Sequence, residues 1–400
     1  MRTGAGEQFI RWAKVHAVVA LGALLATSAC TSSSLARSEY VETRSANLSE
    51  LDALARSLVD EGATAGVSWA IRIGREPARA RTYGVSYIQT KRALRSSDRF
   101  RIASVTKPVT AAAVLSLVQS GRLSLETRLA KFFPEYPNGQ RITVHQLLSH
   151  TSGIPNWWEG QLPKGTPNDF PMCAEPHRYL QQMQIASLFE PGSAYKYSNT
   201  GYVLLGEIIE KASGQSYEDF LRDAVFAPAR MKATELERDE NASAFWIHGY
   251  AREPATNAFV PPTVYAMPFA AGGLRSTASD VLFFMDALFS GTMLDRDLLQ
   301  QMTSYARLND GRMTFEAPFI PPGSPPKPVD HVTKRGYGYG FNLMELDGTP
   351  VYYHSGGIAG FNAYVLHIPR NEVTLVLLAN TEDGLMPALK DILSVASEIL

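Results

Sequence analysis

The sequence has few cysteines, no excess of one charge and none of three common signatures of active or cofactor sites. Its 400 residues include only two cysteines, Cys30 and Cys173, so no disulfide framework is expected. Lysine and arginine number 38 against 39 aspartates and glutamates, without a long run of one sign. A nucleic acid partner is therefore not expected. The chain also lacks G-x-S-x-G, H-E-x-x-H and the glycine spacing of a dinucleotide site, and we expect no metal ion and no cofactor.

The N-terminus has the layout of a secretory signal. Arg2, Arg11 and Lys14 precede an apolar run over residues 17–26, which small residues follow. The run is too short to span a bilayer comfortably, and it has no polar face as a buried helix of the folded body would. We therefore predict a signal peptide over residues 1–29 and export to the periplasm.

Residues 27–30 read Thr-Ser-Ala-Cys and resemble the lipobox of bacterial lipoproteins. The resemblance implies that Cys30 is lipidated, that the protein is a membrane-anchored lipoprotein, and that Cys173 has no partner within the chain. Export without lipidation is the alternative. The Ser- and Thr-rich residues 30–45 are predicted to be a flexible tether.

Periodicity predicts one large folded domain over residues 46–400, in which 45% hydrophobic residues in the chain supply a core. Helices are predicted near 47–59, 104–119, 144–148, 202–212, 217–225, 278–289 and from about 386. Strands are predicted at 66–73, 81–88, 337–344, 350–354, 363–368 and 372–379. A Pro-rich stretch over 317–328 precedes the later strands.

Because the strands lie at both ends of the sequence, we predict an α+β fold. It consists of an antiparallel sheet flanked by N- and C-terminal helices, with a mainly helical lobe inserted between its halves. The sheet lobe takes residues 46–121 and 271–400, and the helical lobe takes 122–270. A cleft is expected where the lobes meet.

The pattern Ser-x-x-Lys can place a hydroxyl and an amine one helical turn apart, where a neutral amine accepts the serine proton. It occurs at residues 104–107, 193–196 and 324–327. Consecutive prolines exclude a helix at the third site and turn signals surround the second, whereas Ser104 opens a long apolar helix. Ser104 with Lys107 is the candidate pair. The alternative is a helix-starting serine beside a solvated lysine.

Two further short patterns could complete a site. Tyr197 and Asn199 form a Tyr-x-Asn motif before an apolar helix, while a second Tyr-x-Asn at 136–138 has the composition of a surface turn. His354, Ser355, Gly356 and Gly357 follow a predicted strand, and their competitor is Lys334-Arg335-Gly336. Taken singly, Tyr197 and His354 also fit structural roles.

In combination, the three motifs resemble those of the serine β-lactamase and penicillin-binding-protein superfamily, in its class C-like branch. The resemblance implies a β-lactamase/transpeptidase-like fold, with Ser104 as nucleophile and with Lys107 and Tyr197 as coupled base and acid. Asn199 would orient the lysine and the substrate amide, and the main-chain N–H groups of Ser104 and Gly357 would form the oxyanion hole. His354, with Ser355 and Gly356, would line the opposite wall.

The expected function is that of a serine hydrolase acting on a small-molecule or peptide substrate. Candidate substrates are a small ester, a D-amino acid amide or peptide, and a β-lactam. His354 stands where class C β-lactamases carry lysine, which puts efficient β-lactam hydrolysis in doubt. The alternative function is a penicillin-binding or cell-wall-peptide-sensing protein with little turnover.

Overall fold

The computed structural model describes residues 48–156, 187–237, 247–262, 268–317, 332–388 and 391–392. The predicted signal peptide, the tether with Cys30, Cys173 and most of the Pro-rich stretch lie outside the described residues. Residues 48–53 belong to a short unit of their own, and the large unit begins at Leu54. In the described ranges, no helix has the length and apolarity needed to cross a membrane.

An eight-stranded antiparallel sheet forms the base of the large unit. Three of its strands precede the helical region: β1 (Gly66–Ile73), β2 (Arg79–Tyr87) and β3 (Arg92–Ala93). Five follow it: β9 (Val332–Tyr337), β10 (Asn342–Leu346), β11 (Thr349–Ile358), β12 (Phe361–Ile368) and β13 (Val373–Ala379). The strand order is β3-β2-β1-β13-β12-β11-β10-β9, so the pairing of β1 with β13 joins the strands that precede the helical region to those that follow it.

The remaining strands are short. β4 (Phe100–Arg101), β5 (Glu235–Leu236) and β8 (Leu274–Ser276) form a three-stranded sheet, and β6 (Ala251–Arg252) pairs with β7 (Phe259–Val260). The helices are residues 48–60 (α1), Thr106–Gln119 (α2), Val144–Leu148 (α3), Asn199–Ser213 (α4), Tyr217–Leu221 (α5), Ala227–Ala229 (α6), Ala278–Phe289 (α7) and Arg296–Met302 (α8). A π-helical turn, Arg222–Phe226, links α5 to α6. Helices with an antiparallel sheet confirm the predicted α+β class.

Helix α2 is the centre of the helical region. It lacks a polar face, and every residue from Thr106 to Leu115 is buried. A helix that is apolar on all sides is enclosed by other elements, and α2 packs against α4 while α7 covers β1 and β13. The second residue of α2, Lys107, is therefore taken out of water by the fold itself.

Three predicted boundaries beside the candidate site were wrong, and of the predicted helix 217–225 only Tyr217–Leu221 is α-helical. The predicted strand 337–344 is two strands, because Gly340 has a φ of +77° and turns the chain where a Cβ would lie 2.9 Å from the Lys107 carbonyl oxygen. Ser104 lies in a 3-10 turn, Ala103–Val105, ahead of α2 rather than in the α-helix. His354 to Gly357 lie inside β11, which extends to Ile358, and do not follow a strand.

Candidate active site

Ser104 is presented by a strained turn. The preceding residue, Ala103, has a φ of +46°, in the left-handed region that costs a non-glycine residue about 1–2 kcal/mol. The turn is held in place by a hydrogen bond from the Ile102 N–H to the Leu274 carbonyl, 3.0 Å long. Ser104 itself is partly exposed, between neighbours that are buried. Its hydroxyl is thus accessible at the start of a buried helix, and the alanine before it carries no sequence signal for this strain.

The amine of Lys107 has three hydrogen-bond partners. Nζ lies 3.1 Å from Ser104 Oγ, 2.6 Å from Asn199 Oδ1 and 2.7 Å from the Ala271 carbonyl oxygen. An amide oxygen and a carbonyl oxygen only accept hydrogen bonds, so together they take the two N–H groups of a neutral amine. The lone pair of that amine then faces the Ser104 hydroxyl. The Ala271 carbonyl was not predicted, because a main-chain oxygen leaves no mark in the sequence.

The environment of Lys107 favours the neutral amine. The side chain is completely buried, and this loss of hydration lowers its pKa well below the ordinary value of lysine. Each hydrogen-bond partner is neutral, so none of them offsets the lost hydration with a negative charge. The predicted alternative of a solvated Lys107 is wrong.

Tyr197 lies two residues before α4 and reaches the same serine. Ser104 is a hydrogen-bond partner of its hydroxyl, and burial raises the pKa of Tyr197 above the ordinary tyrosine value. The phenol therefore keeps its proton at neutral pH. The Ser104 hydroxyl therefore has two neighbours, a protonated Tyr197 and a Lys107 whose pKa is lowered.

Asn199 is the first residue of α4, whose N-cap is Ser198: the Ser198 hydroxyl accepts a hydrogen bond from the Gly201 N–H at 3.1 Å. Asn156, from another part of the chain, stabilises the segment from Tyr197 to Asn199. Its Oδ1 accepts from the Asn199 N–H at 2.7 Å, and its Nδ2 donates to the Tyr197 carbonyl at 3.3 Å. Asn156 was not among the predicted site residues.

His354 lies near these residues but is only 2% exposed. Its Nδ1 is 2.7 Å from the Ser355 carbonyl oxygen and must donate to it, so Nε2 accepts from the Tyr337 hydroxyl at 3.1 Å. Burial, with a smaller contribution from Lys107, lowers the pKa of His354 to about 3. Both ring nitrogens are therefore occupied in a neutral imidazole.

Gly356 brings β11 against the nucleophile. A Cβ at this position would lie 2.4 Å from the Ile102 carbonyl oxygen and 3.1 Å from Ser104 N, so only glycine permits the approach. Ser355 and Gly357, on the other face of the strand, are exposed. β10 pairs with β11 only as far as Tyr353, so its ladder stops before these residues. The structure thus brings all three predicted motifs to one place.

The competing residues lie elsewhere or lack the geometry. Residues 193–196 form no helix, and residues 324–327 lie outside the described ranges. Lys334 lies in β9, where its amine pairs with the Glu345 carboxylate at 2.7 Å. Among the residues described, no three His, Cys, Asp or Glu side chains are grouped as metal ligands would be.

Comparisons with known proteins identify the family of the chain. The family model described as Beta-lactamase matches residues 51–398. Penicillin-binding protein 4* of Bacillus subtilis (strain 168) is 28% identical over 319 residues, which are 76% of this chain and 65% of that protein. A D-aminopeptidase of Cereibacter sphaeroides is 26% identical over 348 residues, which are 86% of this chain and 62% of that protein. The chain thus spans less than two thirds of the length of these two relatives.

A solved structure is similar over almost its full length. The D-amino acid amidase from Ochrobactrum anthropi SV3, complexed with L-phenylalanine amide, has a TM-score of 0.71 and 26% sequence identity, and the match covers 88% of this chain and 98% of that one. The penicillin-binding protein from Bacillus halodurans, 23% identical with a TM-score of 0.68, shares the fold. Since the family model covers most of the sequence, the protein belongs to the Beta-lactamase family, which confirms the resemblance predicted from the three motifs.

Proposed function

We propose that the protein is a serine hydrolase that works through an acyl-enzyme on Ser104. The observation that supports this most strongly is the contact of 3.1 Å between Lys107 Nζ and Ser104 Oγ. The other two partners of the amine are acceptors only, which leaves its lone pair for the serine proton. Lys107 is the base, and protonated Tyr197 is the acid.

In this mechanism the Ser104 proton passes to Lys107 as Oγ bonds to the acyl carbon. The leaving nitrogen or oxygen takes a proton from Tyr197, and Tyr197 regains one from Lys107 when the bond to the leaving group breaks. Water then attacks the acyl carbon, its proton returns to Ser104 Oγ through the same groups, and the free acid departs. The exposed edge of β11 near Gly357 is where we place the carbonyl oxygen of the substrate.

We further propose that the preferred substrates are amides or esters of amino acids that carry no carboxylate beside the scissile bond. His354 occupies the third motif as a buried neutral ring whose two nitrogens are bonded within the protein. It therefore supplies neither a charge nor a free N–H to a carboxylate. The similarity of the chain to a D-aminopeptidase and to a D-amino acid amidase supports the same class. Periplasmic export and a membrane tether through Cys30 remain part of the proposal, on the sequence pattern alone.

A matched pair of chromogenic substrates tests the proposal. D-phenylalanine 4-nitroanilide and its 3-carboxy-4-nitroanilide differ by one carboxylate on the leaving group, and the L-enantiomers show the stereochemical preference. We expect the uncharged anilide to be hydrolysed faster, and Ser104→Ala to lower kcat/KM by roughly 1,000-fold or more, since it removes the nucleophile.

Intact-mass measurement after exposure to a fluorophosphonate, which reacts with the nucleophile without presenting a carboxylate, supplies the control. The wild-type protein should gain one adduct that Ser104→Ala does not form. An adduct that persists without turnover of any substrate would favour the binding or sensing protein instead. Absence of both adduct and hydrolysis would contradict the proposal.

A further inference from the structure

His150 follows α3 closely and holds a backbone conformation that few residues adopt. Its φ of +60° lies in the left-handed region, which residues other than glycine adopt uncommonly, and asparagine, aspartate and histidine more often than the rest. The side chain is only 1% exposed. A buried residue in such a conformation persists when its contacts hold it there, and the contacts of His150 lead to the segment that carries Tyr197.

His150 contacts the chain on both sides of Tyr197. Its carbonyl oxygen accepts a hydrogen bond from the Lys196 N–H at 3.0 Å, and its ring Nδ1 accepts one from the Ser198 N–H at 3.1 Å. The imidazole also packs on the ring of Tyr197, with 4.4 Å between the ring centres. One residue thus holds both neighbours of the phenol and the phenol ring itself.

The hydrogen bond at Nδ1 determines which nitrogen of the ring carries the proton. Because a backbone N–H only donates, Nδ1 is unprotonated and the proton of the neutral imidazole lies on Nε2. Within the described residues Nε2 has no hydrogen-bond partner. The imidazole is surrounded by aromatic rings, with its ring centre 5.0 and 4.5 Å from those of Tyr202 and Tyr337. The polar contact that this ring makes is therefore directed at the Tyr197 segment.

Ser198 needs that acceptor. It is the N-cap of α4 with an extended φ of −135°, so its own N–H lies outside the hydrogen bonds of the helix. Ser198 is 1% exposed, which leaves little room for water to replace a lost partner. Without an acceptor at residue 150, the chain on the helical side of Tyr197 would have to move.

We propose that His150 is a positioning residue that keeps the Tyr197 hydroxyl at Ser104 by holding Ser198 and Lys196. It does not touch the reacting atoms and acts through Tyr197. The kinetic part of this inference rests on the proposed function, whereas the structural part does not. The two parts are therefore tested by separate measurements.

The kinetic test compares His150→Leu with His150→Asn, alone and combined with Tyr197→Phe, on D-phenylalanine 4-nitroanilide. Asparagine places an oxygen where His150 has Nδ1 and tolerates a positive φ, while leucine fills the space without an acceptor. We expect His150→Leu to lower kcat roughly 10- to 100-fold with KM little changed, as misplacement of a catalytic group does. His150→Asn should restore most of that loss.

The combination with Tyr197→Phe separates positioning from general damage. If His150 acts through Tyr197, adding His150→Leu to Tyr197→Phe should lower kcat less than about threefold further. An equal loss in both backgrounds, or equal damage by leucine and asparagine, would overturn the inference.

Hydrogen exchange of the peptide that contains residues 196–199 gives a readout independent of activity. We expect faster exchange in His150→Leu and near wild-type exchange in His150→Asn. Identical exchange in all three proteins would overturn the inference even if the wild type is active, and an inactive wild type would contradict only the proposed function. If His150→Leu does not fold, His150→Gly accommodates the positive φ, and added imidazole should recover its exchange protection. Failure of that recovery in folded His150→Gly would count against the inference.

Discussion

The structure buries cationic side chains in two clusters and gives them different partners. In the first, the guanidinium of Arg101 donates to the Glu237 carboxylate through Nε and Nη2, and Arg275 contacts the same carboxylate. In the second, the amine of Lys107 meets a hydroxyl, an amide oxygen and a main-chain carbonyl, all neutral. The two clusters are close in sequence, since Arg101 lies six residues before Lys107.

The different partners give the two clusters different chemistry. A buried guanidinium keeps its charge because a carboxylate offsets its lost hydration, and although burial lowers the pKa of Arg275 to about 9, it remains a cation at neutral pH. Lys107 has no such compensation, so burial moves its pKa toward neutrality. The comparison shows that burial turns a cationic side chain into a base only where the fold places no counter-ion beside it.

Replacing Lys107 is expected to have the largest effect and separates activity from stability. Lys107→Met removes the base while filling similar space, so hydrolysis should fall by roughly 1,000-fold or more. The free energy of unfolding should change little, because the removal of an amine that is costly to bury offsets the hydrogen bonds lost by Asn199 and by the Ala271 carbonyl. Activity assays and urea denaturation measure the two quantities.

Lys334→Met is the matched control, since Lys334 is a partly exposed lysine that pairs with Glu345. It should change neither quantity appreciably. If the loss of activity in Lys107→Met came with an equally large loss in the free energy of unfolding, the amine would be structural. That result would contradict the difference between the two clusters.

Replacing Glu237 should give the opposite result. Glu237→Gln leaves two buried guanidinium groups without their carboxylate, and the free energy of unfolding should fall by about 3–5 kcal/mol. The folded fraction should retain activity, because neither arginine contacts the Ser104 hydroxyl. Glu235→Gln, which breaks the more exposed pair with Arg99 at 2.8 Å, should cost less than about 1 kcal/mol. Equal costs for the two variants would contradict the distinction drawn between buried and exposed pairs.

Much of the fold could be predicted because its signals are local. The predicted bounds of α3 and α7 agree with the structure, where Thr143 and Thr277 cap the helices by accepting hydrogen bonds from N–H groups three residues ahead. The split of β9 from β10 was missed because Gly340 turns against α2, far away in the sequence. The 3-10 turn at Ser104 was missed because packing, not alanine, sets the φ of Ala103.

The candidate site also has residues that local sequence patterns predict and contacts that no such pattern predicts. Ser104 and Lys107 share one turn, so their spacing is informative alone, and the order of the three motifs adds Tyr197 and His354. Contacts made by main-chain atoms or distant side chains have no such pattern: the Ala271 carbonyl on Lys107, Asn156 on Asn199 and Tyr337 on His354. The neutral state of His354 follows from those contacts and could not be read from a His-x-Gly motif.

The ionisation of Lys107 is the property to measure directly. In protein labelled with ¹³C at the lysine ε-carbons, the Lys107 resonance is the one missing from Lys107→Met, and its shift with pH reports the charge of the amine. Because burial lowers the pKa, the amine is neutral above a midpoint that we expect well below 10.5, and kcat/KM should rise with pH through the same midpoint. A midpoint at or above 10.5 would contradict the account, because Lys107 would then be a cation when Ser104 must lose its proton.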